Sequence, residues 1–319
     1  MALTEEQRKN REGLYSSDIA RLMNGQSVKV ALEKLGHDES GEVVEPPNLD
    51  EVDEIQLGEL TEPYILEAYK RKYNVELETS PEFIHPDIPW MGSHPDSTVL
   101  PNKKVIVEAK TVGVYNIHEW GNPGTDQVNF YTLWQSVVHM ACANADRVDV
   151  VACFMTLEAT KYILLKKPPP IHVFHIYRDF EAEDLMVRKS KYVHDHIVAG
   201  VSPPPETLDD AKLIWSKASG VKVEATEDIV IAYNNLIKLR SEYEALGKLK
   251  DSVELQIKSF MGNASALTFE NQTLATWRND RDSVALDKKL LAEKQPDIYK
   301  EFLVPTRGSR RFLVKSLKS

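Results

Sequence analysis

The chain alternates between two hydrophobic periods. Residues 105–112, "VIVEAKTV", and the later "RVDVVACFMT" and "PIHVFHIYR" are β-branched runs of strand length, and "VELETS" is a shorter one. Helical spacing marks "SDIARLMNG", with Ser17 or Asp18 near its cap and Gly25 as the stop. It also marks "LTEPYILEAYKRKYN", with apolar residues at 65, 66, 69 and 73, and the mostly apolar "DQVNFYTLWQSVVHMACANA". "EAEDLMVRKSKYVHDHIVAG" reads as a charged helix. Prolines punctuate "EFIHPDIPWMGSHPDSTV", and the acidic, proline-bearing stretch 38–54 predicts a surface loop.

At "GVSPPPETLDD" the texture breaks, and a proline run of this kind is a stiff linker. Beyond it, residues 226–261 place apolar side chains at steps of mostly three and four. That is the seam of a long helix, roughly 54 Å in length, that must pack against something. Thr226 is its expected N-cap, and Gly262 and Asn263 supply a stop. "TLATWRN" and "RRFLVK" have strand character, with a helix expected between them at "SVALDKKLLAEK". The expected organisation is a mixed α/β domain over 1–205 and an extension over 206–319.

Composition narrows the class. The 42% apolar and 28% charged content suits a globular protein, and no run approaches the length of a membrane span. The polar start "MALTEEQRKNRE" lacks the apolar core of a signal peptide, so the expected place of action is the cytoplasm. Two cysteines, Cys142 and Cys153, are too few for a disulfide framework or a four-cysteine metal site. A net charge of −10 argues weakly against nucleic acid, because net charge averages over surfaces. Against that average, the end of the chain is basic, with Arg307, Arg310, Arg311, Lys315 and Lys318.

The candidate chemistry lies in "VIVEAKTV". Alternation puts Glu108 and Lys110 on one face of the strand and Val105, Val107 and Ala109 on the other. Twelve residues before Glu108, Asp96 stands in the polar turn of "MGSHPDST". Two carboxylates offer hard oxygen ligands for Mg²⁺ beside a phosphate, and a lysine can stabilise developing charge. Alone, this spacing is weakly specific; a Glu108–Lys110 salt bridge on a solvated strand face fits it about equally well.

The order of elements, however, resembles the PD-(D/E)XK nucleases. Within them it resembles the YqaJ-like phage recombinases, relatives of the bacteriophage lambda exonuclease. The resemblance runs over most of residues 10–205. "REGLYSSDIARLM" is similar to the opening segment, "LGELTEPYILEAY" to a helix with the pattern G-x-x-x-E-P, "HPDIPWMGSHPDSTV" to the segment ending in the metal-binding aspartate, "VIVEAKT" to the Glu-x-Lys strand, and "FYTLWQSVVHMACAN" to a glutamine-bearing helix. Ser97 stands where the family usually has glycine. Trp134, Val137 and Val138 also depart from its pattern, and the metal-ligand positions do not.

The resemblance implies a restriction-endonuclease-like core, a central mixed sheet flanked by helices, followed by a long-helix and small-β extension. It implies that Asp96, Glu108 and the backbone carbonyl of Ala109 bind Mg²⁺, with Mn²⁺ as a substitute. Glu62 completes or supports the metal site, Lys110 orients and activates the attacking water, and Gln135 holds that water or a neighbouring phosphate. Arg11 and Ser17 bind a terminal 5′-phosphate. The implied activity is 5′ to 3′ resection of duplex DNA ends for single-strand annealing. An annealing protein and further copies of the chain are the expected partners. Two rivals stand beside it: an internally cutting or structure-specific endonuclease of the same fold, and a non-catalytic adaptor that uses the long helix. Other residues have milder expectations. His139 shares a helix face with Gln135 and is expected to be a satisfied core histidine. The pair in "HDH" at 194–196 is expected at the surface. Trp120 could stack on a base, with packing as the default.

Overall fold

The computed structural model describes residues 13–36, 53–101, 103–304 and 310–315. Arg11, Arg307, Lys318 and most of the acidic loop expected at 38–54 lie outside them. The last two residues of that expected loop, Asp53 and Glu54, instead open a helix. The chain divides into two compact units, Met1–Ser216 and Lys217–Ser319.

The first unit is built on a five-stranded mixed sheet. Its strands run β2 (Leu77–Thr79), β5 (Ser97–Val99), β6 (Val105–Val112), β7 (Arg147–Phe154) and β8 (His172–Tyr177) in spatial order. Only β6 and β7 are parallel, paired over eight residues from Val105↔Arg147 to Val112↔Phe154. A parallel pair needs a crossover, and the "DQVNFYTLWQSVVHMACANA" pattern supplies it as helix α4 (Phe130–Ala143). Asn129 caps α4 by accepting from Thr132 N–H at 2.8 Å. A second, three-stranded sheet orders β1 (Leu14–Tyr15), β4 (Ile88–Ser93) and β3 (Phe83–His85).

Helices cover both faces of the large sheet. On one side, α4 packs with Ile106, Val148, Val150 and Phe174. On the other, helix α3 (Asp53–Tyr73) and helix α5 (Leu157–Leu164) bury Ile65, Tyr69, Ala159 and Ile163 against Val107, Val151 and Cys153. A third cluster joins β4 and α4 to helix α1 (Ser16–Met23), helix α2 (Ser27–Lys34) and helix α6 (Phe180–Val198). Both faces of β6 are therefore buried. Glu108 is buried and Lys110 is 24% exposed, so their ion pair is partly buried and does not lie on a solvated strand face.

Several boundaries differ from the pattern reading. Helix α1 starts one residue earlier, with Tyr15 at the cap position and Asp18 Oδ2 accepting from Tyr15 N–H at 3.1 Å. The eight-residue α2 and α5 have too few turns to declare a period in sequence. Past the proline run, helix α7 (Leu208–Ile214) packs with α2 and keeps the first unit continuous to Ser216. Trp120 is a core residue, packed on Phe174 at 5.2 Å between ring centroids, so base stacking by its ring is excluded here.

The second unit contains helix α8 (Glu227–Met261), a hairpin of β9 (Ala266–Phe269) and β10 (Gln272–Thr276), and two short helices, α9 (Lys288–Lys294) and α10 (Pro296–Glu301). Met261 is the buried residue of α8. Residues 310–315, expected as a strand, form none, because no neighbouring strand is placed to pair them.

Candidate active site

The site forms where β5 stops covering β6. The β5–β6 pairing reaches only Ser97↔Val107 and Thr98↔Ile106, so the rest of that β6 edge is left to the turn before β5. Asp96 stands in that turn and takes up the edge, its Oδ2 accepting from Ala109 N–H at 2.7 Å. The N–H and C=O of one strand residue leave by the same edge. The Ala109 carbonyl therefore opens on the side that Asp96 occupies.

Glu108 and Lys110 face α4. The Lys110 ammonium donates to Glu108 Oε1 and to Gln135 Oε1, both at 2.8 Å. Gln135 and His139 lie four residues apart on α4 and so share a face. His139 is fully buried, and its Nε2 lies 3.3 Å from Glu108 Oε2, off the line of a well-formed hydrogen bond. The other ring nitrogen, Nδ1, meets Ser93 Oγ at 2.6 Å. His139 is thus a satisfied core histidine on one side, as expected, and a neighbour of the site on the other. Tyr131, one turn before Gln135, lies within electrostatic reach of Lys110 and Glu108, and of Asp18 and Arg21 on α1.

Charge crowding sets the character of the site. Burial raises the Asp96 carboxyl well above the usual carboxylate range, and the neighbouring Glu108 and Glu62 raise it further. Glu62 is raised by burial and by Glu108 and Glu59. Glu108 goes the other way, down to about 2: burial opposes its ionisation, but Lys110 and His139 more than offset that. Lys110 is raised despite burial, because Glu108 and Asp96 favour the ammonium. Three carboxylates thus share one lysine, a surplus of negative charge that a divalent cation would relieve. No preformed group of three or more His, Cys, Asp or Glu ligands occurs among the described residues.

Hydrogen bonds join Asp96 to Ala109 and Lys110 to Glu108 and Gln135, and Asp96 interacts electrostatically with Glu108, Lys110 and, from α3, Glu62. Helix α3 is held to the strand beside them by Thr61, whose hydroxyl meets that of Thr111 and bonds the Leu57 carbonyl at 2.8 Å. Ser17 stands on α1, four residues from Arg21 and so on its face. The Arg21 guanidinium, in turn, is held by Glu33 through two bonds of 2.7 Å. Arg11 lies outside the described residues. The sequence offered no signal for Ser93 or Tyr131, since each reaches the site only through the packing of α4.

The family model of the YqaJ-like viral recombinase domain matches residues 6–146, a stretch that holds Glu62, Asp96, Glu108, Lys110 and Gln135. Among solved structures, an alkaline exonuclease (LHK-Exo) from Laribacter hongkongensis is similar at 17% identity, over 61% of this chain and 93% of that one, with a TM-score of 0.45. A phage related exonuclease from Haemophilus somnus 129PT is similar at 12% identity, over 60% of this chain and 97% of that one, with a TM-score of 0.41. A comparison with curated proteins finds no match. No helix among the described residues is long and apolar enough to cross a membrane. Residues 6–146, less than half of the chain, are thus similar to the YqaJ-like viral recombinase domain.

Proposed function

We propose that the chain is a Mg²⁺-dependent deoxyribonuclease that resects linear duplex DNA from its ends, 5′ to 3′, and exposes a 3′ strand for annealing. The single observation that carries the metal-nuclease part is the crowding of Asp96, Glu108 and Glu62 around one lysine at an uncovered strand edge. The end preference and polarity rest on the family resemblance. So do the annealing partner, assembly with further copies, and action in the cytoplasm of a bacterial or phage-infected cell.

Asp96, Glu108 and the Ala109 carbonyl would hold the ion, with Glu62 in support. Bound there, Mg²⁺ would offset charge on the phosphate and make water a better nucleophile. The chain's own residues do the rest. Lys110, kept as an ammonium by Glu108 and Asp96, stabilises negative charge that develops on the phosphate. It also shares its second hydrogen bond with Gln135, which leaves the amide's N–H₂ free to orient the incoming water or a phosphate oxygen. Ser17, beside Asp18 at the start of α1, and Arg11 would receive the terminal 5′-phosphate.

The test is digestion of linear and covalently closed circular duplex DNA of one sequence, with Mg²⁺, with EDTA, and with Lys110→Ala. The expected result is loss of the linear DNA alone, abolished by EDTA and reduced about 10²–10⁴-fold by the substitution. Cleavage of the circle would instead make the protein an endonuclease. Intact linear and circular DNA with Mg²⁺, together with DNA binding, would make it an adaptor.

A further inference from the structure

We infer that His139 is a positioning residue for the metal site, and that Ser93–His139–Glu108 is the node that fixes Glu108 relative to Asp96. The inference rests on the metal-nuclease reading above and adds residues that the resemblance does not supply.

All three side chains are buried: Ser93 and His139 show no exposure and Glu108 is 4% exposed. A polar chain in such a place costs stability unless each member is satisfied, so its retention calls for a reason. Each member also comes from a different element. Ser93 ends β4, three residues before Asp96, His139 is on α4, and Glu108 is on β6. Ser93 Oγ meets His139 Nδ1 at 2.6 Å, and His139 Nε2 faces Glu108 Oε2 at 3.3 Å. A neutral imidazole donates from one nitrogen and accepts at the other. With the Ser93 hydroxyl donating to Nδ1, the ring proton sits on Nε2, the nitrogen that lies 3.3 Å from Glu108 Oε2.

Glu108 Oε1 is then hydrogen-bonded by Lys110, and Oε2 lies against the His139 ring in an electrostatic contact at 3.3 Å, outside hydrogen-bond geometry. A carboxylate has about four acceptor sites, so these two contacts restrict the side chain and still leave room for an ion. At its other end, Ser93 holds the start of the turn that carries Asp96. One buried ring thus ties the two metal-binding carboxylates to a single helix. Groups that orient metal ligands in this way are commonly worth about 10–100-fold in metal affinity.

The experiment measures Mn²⁺ binding to the full chain by the loss of the free-ion electron paramagnetic resonance signal. It compares wild type, His139→Ala, His139→Gln and Ser93→Ala, with thermal melts as the folding control. Steady-state resection of linear DNA is measured alongside. His139→Ala should weaken Mn²⁺ binding about 10–100-fold and raise the metal concentration for half-maximal rate, with KM for DNA unchanged. His139→Gln, whose amide N–H₂ can donate to Glu108 from nearly the same place, should recover part of the loss. Ser93→Ala should show a smaller loss in the same direction. If His139→Ala does not fold, the glutamine and Ser93 variants decide: both must bind Mn²⁺ more weakly than wild type. Folded variants that bind Mn²⁺ as wild type does would overturn the inference, as would a glutamine variant no better than a folded alanine one. Failure of the wild type to bind Mn²⁺ or cleave DNA would instead overturn the nuclease reading.

Discussion

At Asp96 the fold and the site pull in opposite directions. Burial beside Glu108 and Glu62 holds its carboxyl well above the usual range. A carboxyl whose pKa is raised on folding binds its proton more tightly when folded, so its contribution favours the native state at low pH. That contribution is lost as pH rises past the unfolded-state value. At neutral pH without metal, Asp96 therefore weakens the protein. Asp96→Asn keeps an oxygen to accept from Ala109 N–H and removes the charge. It should raise the melting temperature in EDTA by about 2–4 °C and abolish metal-dependent cleavage. The gain should shrink as the melt is repeated at lower pH, where wild-type Asp96 is protonated. A lower melting temperature for the variant at neutral pH would show that Asp96 is not crowded by charge.

The position of helix α3 decides whether Glu62 reaches the site. Besides Thr61, it is anchored by Tyr69, two turns after Glu62, whose hydroxyl donates to Asp149 Oδ2 at 2.5 Å. Asp149 is a buried carboxylate on β7, also bound by His175 Nδ1 at 2.6 Å and by Arg147 Nη2 at 3.1 Å. A buried carboxylate costs stability unless it is paired, and the three partners come from α3, β8 and its own strand. Tyr69→Phe keeps the ring and removes one charged-acceptor bond. Chemical denaturation should show a loss of about 1.5–3 kcal/mol. Resection should fall less than in Lys110→Ala, because Glu62 is shifted rather than removed. An unchanged denaturation midpoint would mean that the Asp149 bonds do not hold α3.

At the scale of the whole molecule, the first unit owns its core. All three buried clusters lie within it, from Leu14 to Val193. Its last helix, α7, is closed by a reciprocal cap in which Asp210 N–H donates to Thr207 Oγ1 and Thr207 N–H donates to Asp210 Oδ2. A chain ended at Ser216 should therefore melt cooperatively by circular dichroism and keep Mg²⁺-dependent cleavage of linear DNA. Most apolar positions of α8, Leu239, Leu246 and Leu249 among them, are left exposed. Loss of cooperative melting in the shortened chain would show instead that the second unit completes the fold of the first.

Periodicity alone determined the strong elements: β6, β7 and β8, the helices α3, α4, α6 and α8, and the same-face placement of Glu108 and Lys110. These were legible because a strand repeats every two residues and a long helix every 3.6, whatever they later touch. Spacing from Glu108 also offered Asp96, and the resemblance then picked out Glu62 and Gln135, which spacing could not have joined. Only the tertiary structure decided what surrounds them. Glu108 reads in sequence as half of a surface ion pair, and it is buried because α4 folds back over β6. His139 reads as core, and it borders Glu108 because the crossover sets that face of α4 on the strand. Ser93 and Tyr131 carry no pattern at all. Local spacing reports which side chains share a face; which face is opposed, and by what charge, depends on contacts between residues far apart in the chain.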